Sequence, residues 1–170
     1  MRVAYADPPY IGEAWNYPEK QEVDHQKLIS DLCSNYDGWA LSCHTPSLKI
    51  LLPMCPGNVR VAAWVKPFCS FKPNVNPAYA WEPVLFIPSR GGNRDIDTVR
   101  DWLACSIALK KGMVGAKPAR FCFWLFDLLG LELEDEFDDL YPGTGVITQC
   151  LEAWRDRQRV KQLELEVVSA

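Results

Sequence analysis

Two consecutive prolines close the first apolar run of this chain. Val3-Ala4-Tyr5-Ala6 leads straight into Asp7-Pro8-Pro9-Tyr10. Each proline fixes its φ and lacks an N–H, so neither a helix nor a sheet ladder runs on through them. A strand over Arg2–Ala6 must therefore stop at Asp7 and give way to a rigid loop. The loop carbonyls are held in place and left free to accept. Asp7 beside the Pro8 carbonyl aims two acceptors at one spot, which suits an exocyclic amino group with two hydrogens to donate. Tyr10 adds an aromatic face on which a flat base can stack. An ordinary Asp-Pro-Pro turn is the competing reading of these four residues.

The second half of the chain carries a complementary pattern. Lys117-Pro118 opens an apolar helical segment, Ala119 to Gly130, and an acidic connection, Glu132 to Glu136, follows. Phe137-Asp138-Asp139-Leu140-Tyr141-Pro142-Gly143-Thr144-Gly145-Val146-Ile147 then reads as a strand, a Gly-rich turn and the start of a helix. The two glycines admit unusual backbone angles and let the backbone approach a ligand closely. A turn of this kind at the carboxyl end of a strand is where doubly wound sheets bind nucleotide-like ligands.

These two segments resemble the paired motifs of amino-methyltransferases, which methylate the exocyclic nitrogen of adenine or cytosine. Asp7-Pro8-Pro9-Tyr10 is similar to their catalytic tetrad. The acidic and aromatic residues before Gly143-x-Gly145 are similar to their S-adenosylmethionine motif. With the tetrad first and the cofactor motif last, the order resembles the permuted β group of DNA amino-methyltransferases and the related mRNA-type adenine methyltransferases. The resemblance runs from about Val3 to Ile147.

The resemblance implies an α/β chain of one domain over 1–170: a compact, circularly permuted, Rossmann-like S-adenosylmethionine-dependent methyltransferase fold. It implies a catalytic half at 1–90, a short target-recognition region at about 66–115 and a cofactor half at 116–170. Catalytic roles fall on Asp7, Pro8, Pro9 and Tyr10. Contacts to S-adenosylmethionine fall on Ala6, Asp7, Lys117, Phe121, Asp139, Tyr141, Gly143, Thr144 and Gly145. Substrate contacts fall on Tyr10, His44, Lys66 and Lys72. The implied reaction is methyl transfer to N6 of adenine in DNA, with the base outside a duplex. Asp at the first tetrad position, where many cytosine-N4 enzymes carry Ser, favours adenine. An RNA adenine enzyme, a DNA cytosine-N4 enzyme and an inactive nucleic-acid-binding relative are the alternatives.

Charge distribution bears on the partner. The chain carries a net −4, but residues 60–120 hold 10 basic and 4 acidic side chains, a balance of +6 between two acidic flanks. That block coincides with the implied target-recognition region, so it reads either as phosphate-contacting or as a solvated charged surface. Nucleic acid is the expected partner, DNA ahead of RNA, with a homodimer mate or an accessory protein supplying specificity. No apolar run approaches the length of a membrane span. The seven cysteines are scattered without Cys-x-x-Cys spacing. They read as reduced thiols of a cytoplasmic protein and not as a zinc site. So compact a form is similar to phage-encoded or accessory methyltransferases of restriction-modification type.

Pattern and propensity place the remaining elements. Helices are expected at about Asp24–Asn35, Pro46–Met54 (capped by Thr45 or Ser47), Arg94–Lys111, Lys117–Gly130 and Val146–Arg159. Strands are expected at Trp39–Cys43, Arg60–Val65, Ala80–Pro88, Phe137–Tyr141 and Gln162–Val168. In a parallel sheet, Lys66 and His44 end strands on the edge that carries Asp7 and Gly143. Lys66 then meets a phosphate or a cofactor carboxylate, or is an ordinary exposed lysine. His44 is structural before it is catalytic. Trp81-Glu82 resembles a pair that begins a late strand in the mRNA-type relatives and reads as structural or gating. The Pro-rich segment Lys66–Tyr79 carries Phe68, Phe71 and Tyr79, which either stack on bases or anchor the loop. Glu164 or Glu166, near a further strand, are candidates to bind a cofactor ribose.

Overall fold

The computed structural model describes residues 1–17, 20–68, 73–92, 98–107 and 117–169. Lys72, Phe71 and both ends of the Arg94–Lys111 segment lie outside the described residues. The elements are β1 (Arg2–Ala6), α1 (His25–Asn35), β2 (Gly38–Ser42), α2 (Leu48–Leu51), β3 (Arg60–Val65), β4 (Trp81–Ile87), β5 (Trp102–Ala104), α3 (Ala119–Leu129), β6 (Glu136–Asp139) and α4 (Val146–Ser169). The strands form one six-stranded sheet in the order β5-β3-β4-β2-β1-β6. β1 lies parallel to β2 and β6, and β3 parallel to β5. β4 is antiparallel to both of its neighbours. The sheet is therefore mixed, not wholly parallel as expected, because the Pro-rich connection after Lys66 returns beside β3 as a hairpin.

Helices cover both faces, and the period-two alternation of the strands sorts the core into two layers. In β1, Val3 and Tyr5 join the layer under α3 and α4, with Phe121, Leu125 and Trp154. Ala4 and Ala6 join the opposite layer, with Ile29 and Leu32 of α1 and Leu51 of α2. Because both faces are buried, β1 and β2 are apolar almost without a break.

The helix boundaries have local causes. Asp24 caps α1, its carboxylate accepting from the Lys27 N–H at 2.9 Å. Gly130 ends α3 in the left-handed region at φ 67°. The 46–54 segment is a single α-turn between two tighter turns, and Ser47 does not cap it. The Ser47 hydroxyl instead meets His44 Nδ1 at 2.7 Å.

Two expected elements differ. The described part of the Arg94–Lys111 segment is not helical; it holds β5, in which Trp102 pairs with Ala63. The ladder to the exposed side of β3 overrides the helical pattern there. Gln162–Val168 is not an edge strand but the last turns of α4. Gln, Leu and Glu are good helix formers, and the helix is already laced by Arg155–Glu152 and Arg159–Asp156 pairs. Glu164 and Glu166 therefore stand on a helix, not beside a strand end that could hold a ribose. β6 also stops at Asp139, two residues earlier than expected, and Leu140 N–H donates to the Tyr5 carbonyl at 2.9 Å.

The acidic connection before β6 is tied down by one carboxylate. Asp135 accepts from both Arg90 nitrogens, at 2.5 and 2.8 Å, from the Met1 amino group at 2.7 Å and from the Glu132 N–H at 2.8 Å. The Arg90 hydrogen bonds foremost hold the Asp135 carboxyl well below the usual carboxylate range. Nearby, Gly38 leaves no room for a side chain: a Cβ there would lie 2.4 Å from the Ser89 backbone nitrogen. Gly38→Ala should therefore destabilise the fold by about 1–3 kcal/mol through forced displacement of the segment after β4. Urea unfolding followed by tryptophan fluorescence measures this, and an unchanged midpoint would contradict the close approach. Among the described residues, no helix is long and apolar enough to cross a membrane.

Candidate active site

Strand parity brings four charged side chains to one place. Asp7 follows Tyr5 by two residues, so it leaves β1 on the α3 face. Lys117 lies two residues before α3 and meets it there, Nζ standing 2.9 Å from both Oδ1 and Oδ2. Trp64 of β3 points to the same face, and Glu82 is its register partner on β4. Because β4 runs antiparallel, its amino end lies on the edge where every other strand ends. Glu82 thereby reaches Lys117, at 3.5 Å from Oε2, and also pairs with Lys66 through Oε1. Lys66 Nζ sits 4.5 Å from the centre of the Trp64 ring. The result is an alternating chain, Asp7–Lys117–Glu82–Lys66, at the carboxyl edge of the sheet.

The chain is largely shielded from water; the Lys117 side chain is only 5 % exposed. Burial alone would lower the Lys117 pKa, yet the groups around it, Asp7 foremost, hold it well above the usual lysine range. For Glu82 burial pushes up, but Lys117 and then Lys66 pull harder, and its pKa falls below the usual value. For Asp7 burial wins: its pKa is raised, with Lys117 pulling back and Glu82 adding to the rise. Lys117 thus favours the ionised Asp7, which can only accept hydrogen bonds.

Beside this chain, Tyr10 stacks face to face on His44, with ring centres 5.3 Å apart and planes 8° from parallel. Ser47 fixes the His44 ring from the other end. Pro8 is buried, and among the described residues no turn or loop backbone hydrogen bond ends on its carbonyl. A carboxylate, a free carbonyl and a clamped aromatic ring therefore converge at the end of β1.

The Gly-rich turn lies next door, since β6 pairs with β1 and Asp139 is the register partner of Tyr5. Gly143 and Gly145 both take positive φ, 46° and 71°. Nothing lies within 4 Å of where a Gly145 Cβ would stand, and Gly143 and Thr144 are exposed. Asp139 is different: both its side-chain oxygens are buried without a hydrogen-bond partner. Burial pushes its pKa up, the Tyr141 backbone offsets this in part, and the Asp7 charge adds to it. A buried carboxylate with no cationic partner among the described residues, next to an open glycine turn, suits a cationic ligand group.

The expected residues fall into three groups. Asp7, Pro8, Pro9, Tyr10, His44, Lys66 and Lys117 share the edge, and Asp139, Tyr141, Gly143, Thr144 and Gly145 lie on the adjoining turn. Phe121 is a fully buried core ring beneath them, tilted against Trp64 at 5.1 Å, and the Ala6 side chain points to the opposite layer. Lys66 is not an exposed strand-end lysine; it is paired with Glu82. Glu82 is the site residue that sequence reasoning undervalued. Its signal was an acid at the start of an apolar strand, placed where a strand running the other way would bring it to the site.

No family model matches the sequence, and no curated protein matches it. The fold does match: the structure titled "crystal structure of M1.HpyAVI-SAM complex" superposes with a TM-score of 0.62 at 12% identity, covering 91% of this chain and 78% of that one. The chain thus shares the α/β fold of that protein, a mixed sheet with helices on both faces.

Electrostatic coupling in the ion chain can be read directly. Glu82→Gln should lower the Asp7 pKa, because the Glu82 charge pushes it up. Lys117→Met should raise it, because the ammonium pulls it down. Lys117→Met should also cost about 3–5 kcal/mol of stability by leaving buried carboxylates unpaired. Carbon-detected NMR titration of the side-chain carboxyls gives the first pair of shifts and chemical denaturation gives the second. The Glu82 contribution to stability is full above its unfolded pKa and is lost as pH falls through its lowered folded value. Acid should therefore destabilise the natural chain more than Glu82→Gln.

Proposed function

We propose that the protein transfers a methyl group from S-adenosylmethionine to the exocyclic N6 of adenine in DNA. The observation that carries this reading is the adjacency of Asp7-Pro8 and the unpaired Asp139 beside the Gly143–Gly145 turn, across one β1–β6 ladder. The fold shared with the M1.HpyAVI–SAM complex supports the choice of cofactor. On this reading the chain is one domain in the permuted β-group order, because the strand that ends in the tetrad precedes the strand that ends in the cofactor turn.

S-adenosylmethionine, when bound, supplies an electrophilic methyl group on a sulfonium. The residues of this chain do the rest. Asp139 would hold the cofactor's ammonium, which would give its buried oxygens a cationic partner. Gly143 and Gly145 keep side chains out of the cofactor's way. Asp7 and the Pro8 carbonyl accept the two N–H bonds of the adenine amine. That contact favours a pyramidal nitrogen, whose lone pair is otherwise delocalised into the ring. Tyr10, held against His44, offers its outer face to the base. Catalysis is then positioning together with electrostatic stabilisation of the positive charge that develops on nitrogen, and the proton the methylated amine sheds leaves along its hydrogen bond to the Asp7 carboxylate.

Asp7→Ala should lower methyl transfer about 10²-fold or more while leaving cofactor affinity nearly intact. Gly143→Val should abolish cofactor binding, and transfer with it. Calorimetry with S-adenosylmethionine, together with label transfer to DNA and nucleoside analysis, separates the two effects. Full turnover by Asp7→Ala, or a ring-carbon methyl product, would defeat the mechanism. The acid limb of the rate profile should also follow the raised Asp7 pKa and move further up in Lys117→Met. A limb at the ordinary aspartate position in both proteins would remove Asp7 as the essential acceptor.

A further inference from the structure

Resting on that reading of the site, we infer that its substrate is single-stranded DNA, whose bases stack on an aromatic rim flanking the Asp7-Pro8 site. Trp15 is 67% exposed and Tyr17 43%, and both lie in the turn that follows Tyr10. That turn folds back through the Glu13 N–H, which donates to the Tyr10 carbonyl at 2.8 Å. Tyr17 is near enough to the site for the Asp7, Lys117 and Glu82 charges to act on it. Across the edge, Phe68, Tyr79 and Trp81 are exposed at the ends of the β3–β4 connection. Trp81 is the register partner of Val65, next to Lys66. Singly exposed aromatics are unremarkable, but the turn carrying Trp15 and Tyr17 and the hairpin base carrying Phe68, Tyr79 and Trp81 flank the amine-acceptor site and offer stacking faces on both sides of it.

The cations tell the same story from the other side. Residues 60–120 are the basic block, yet most of its described cations are already engaged within the chain. Lys66 is paired with Glu82, Lys117 with Asp7 and Glu82, and Arg90 with Asp135 and Glu132. Arg60 pairs with Asp101 at 3.8 Å, and Arg100 lies over Trp102. Arg120 is exposed. A duplex carries two strands of phosphate and is gripped mainly by free Lys and Arg. A single strand exposes its bases and is gripped by stacking together with basic contacts to its backbone; the stacking faces are what this edge supplies and an intact duplex cannot use. A single-stranded target also removes the unstacking and unpairing penalty of flipping a base from a duplex.

The test is fluorescence anisotropy with an end-labelled adenine-containing DNA oligonucleotide of about 12 nucleotides, within the range a single-strand site covers. The same sequence is offered as single strand, as duplex and as single-stranded RNA. Binding to the single DNA strand should be at least about tenfold tighter than to the duplex. Trp15→Ala and Tyr79→Ala should each weaken it about tenfold, as expected for loss of one stacking partner. Trp15→Phe and Tyr79→Phe should restore most of the affinity, which a general folding defect would not allow. Equal or tighter duplex binding, or alanine variants that bind like the natural chain, would overturn the inference, and tighter binding to RNA would overturn its assignment to DNA. Methyl transfer is measured on the same oligonucleotides. Tight single-strand binding without any transfer would count against the methylation reading alone, whereas transfer with a duplex preference would count against the single strand alone.

Discussion

The pairing of Lys117 with Asp7 is the contact on which the candidate site depends. It joins residues 110 positions apart in sequence and holds the entry to α3 against the end of β1. A buried ammonium is tolerable only with partners that satisfy it, and here Asp7, Glu82 and the Trp64 and Phe121 rings surround it. Replacing such a chain by apolar residues of similar volume is often neutral or stabilising in other proteins. On that ground the chain reads as a device for positioning and charging Asp7, not as a source of stability.

The two sides of the edge are electrostatically unlike. Toward the proposed substrate, the acids and bases of the ion chain are matched and neutral as a set. Toward the proposed cofactor, Asp139 is left unpaired in a buried position. A neutral base and a cationic cofactor would each find the environment that suits it. The β1–β6 ladder sets the spacing between the two strand ends from which the tetrad loop and the glycine turn project.

Much of this was legible in the sequence, for reasons that differ from element to element. The end of β1 could be read because Pro8 and Pro9 forbid its continuation. The end of α3 could be read because Gly130 accepts a left-handed backbone. The Gly143–Gly145 turn announced itself through glycines that take positive φ. What escaped were features set by tertiary pairing. β5 has a helix-compatible sequence and becomes a strand only because β3 offers an open ladder. The last turns of α4 alternate like a strand but find no partner strand. Glu82 could not be ranked without knowing that β4 runs against its neighbours. A charge count over 60–120 also does not reveal which cations are paired within the chain, as Lys66, Arg90 and Lys117 are.

The β3–β4 hairpin has a consequence for how such a protein can diversify. The Lys66 N–H donates to the Ala80 carbonyl at 2.8 Å, closing the connection at its base. Register between the two strands is fixed below that point, so Trp64 and Glu82 stay opposed whatever the length of chain above it. Doubling the length of such a closed loop costs only about 0.6 kcal/mol in closure entropy. The segment is therefore a replaceable cassette. It can be lengthened, shortened or exchanged to change what the protein touches, while the ion chain at its foot keeps its geometry.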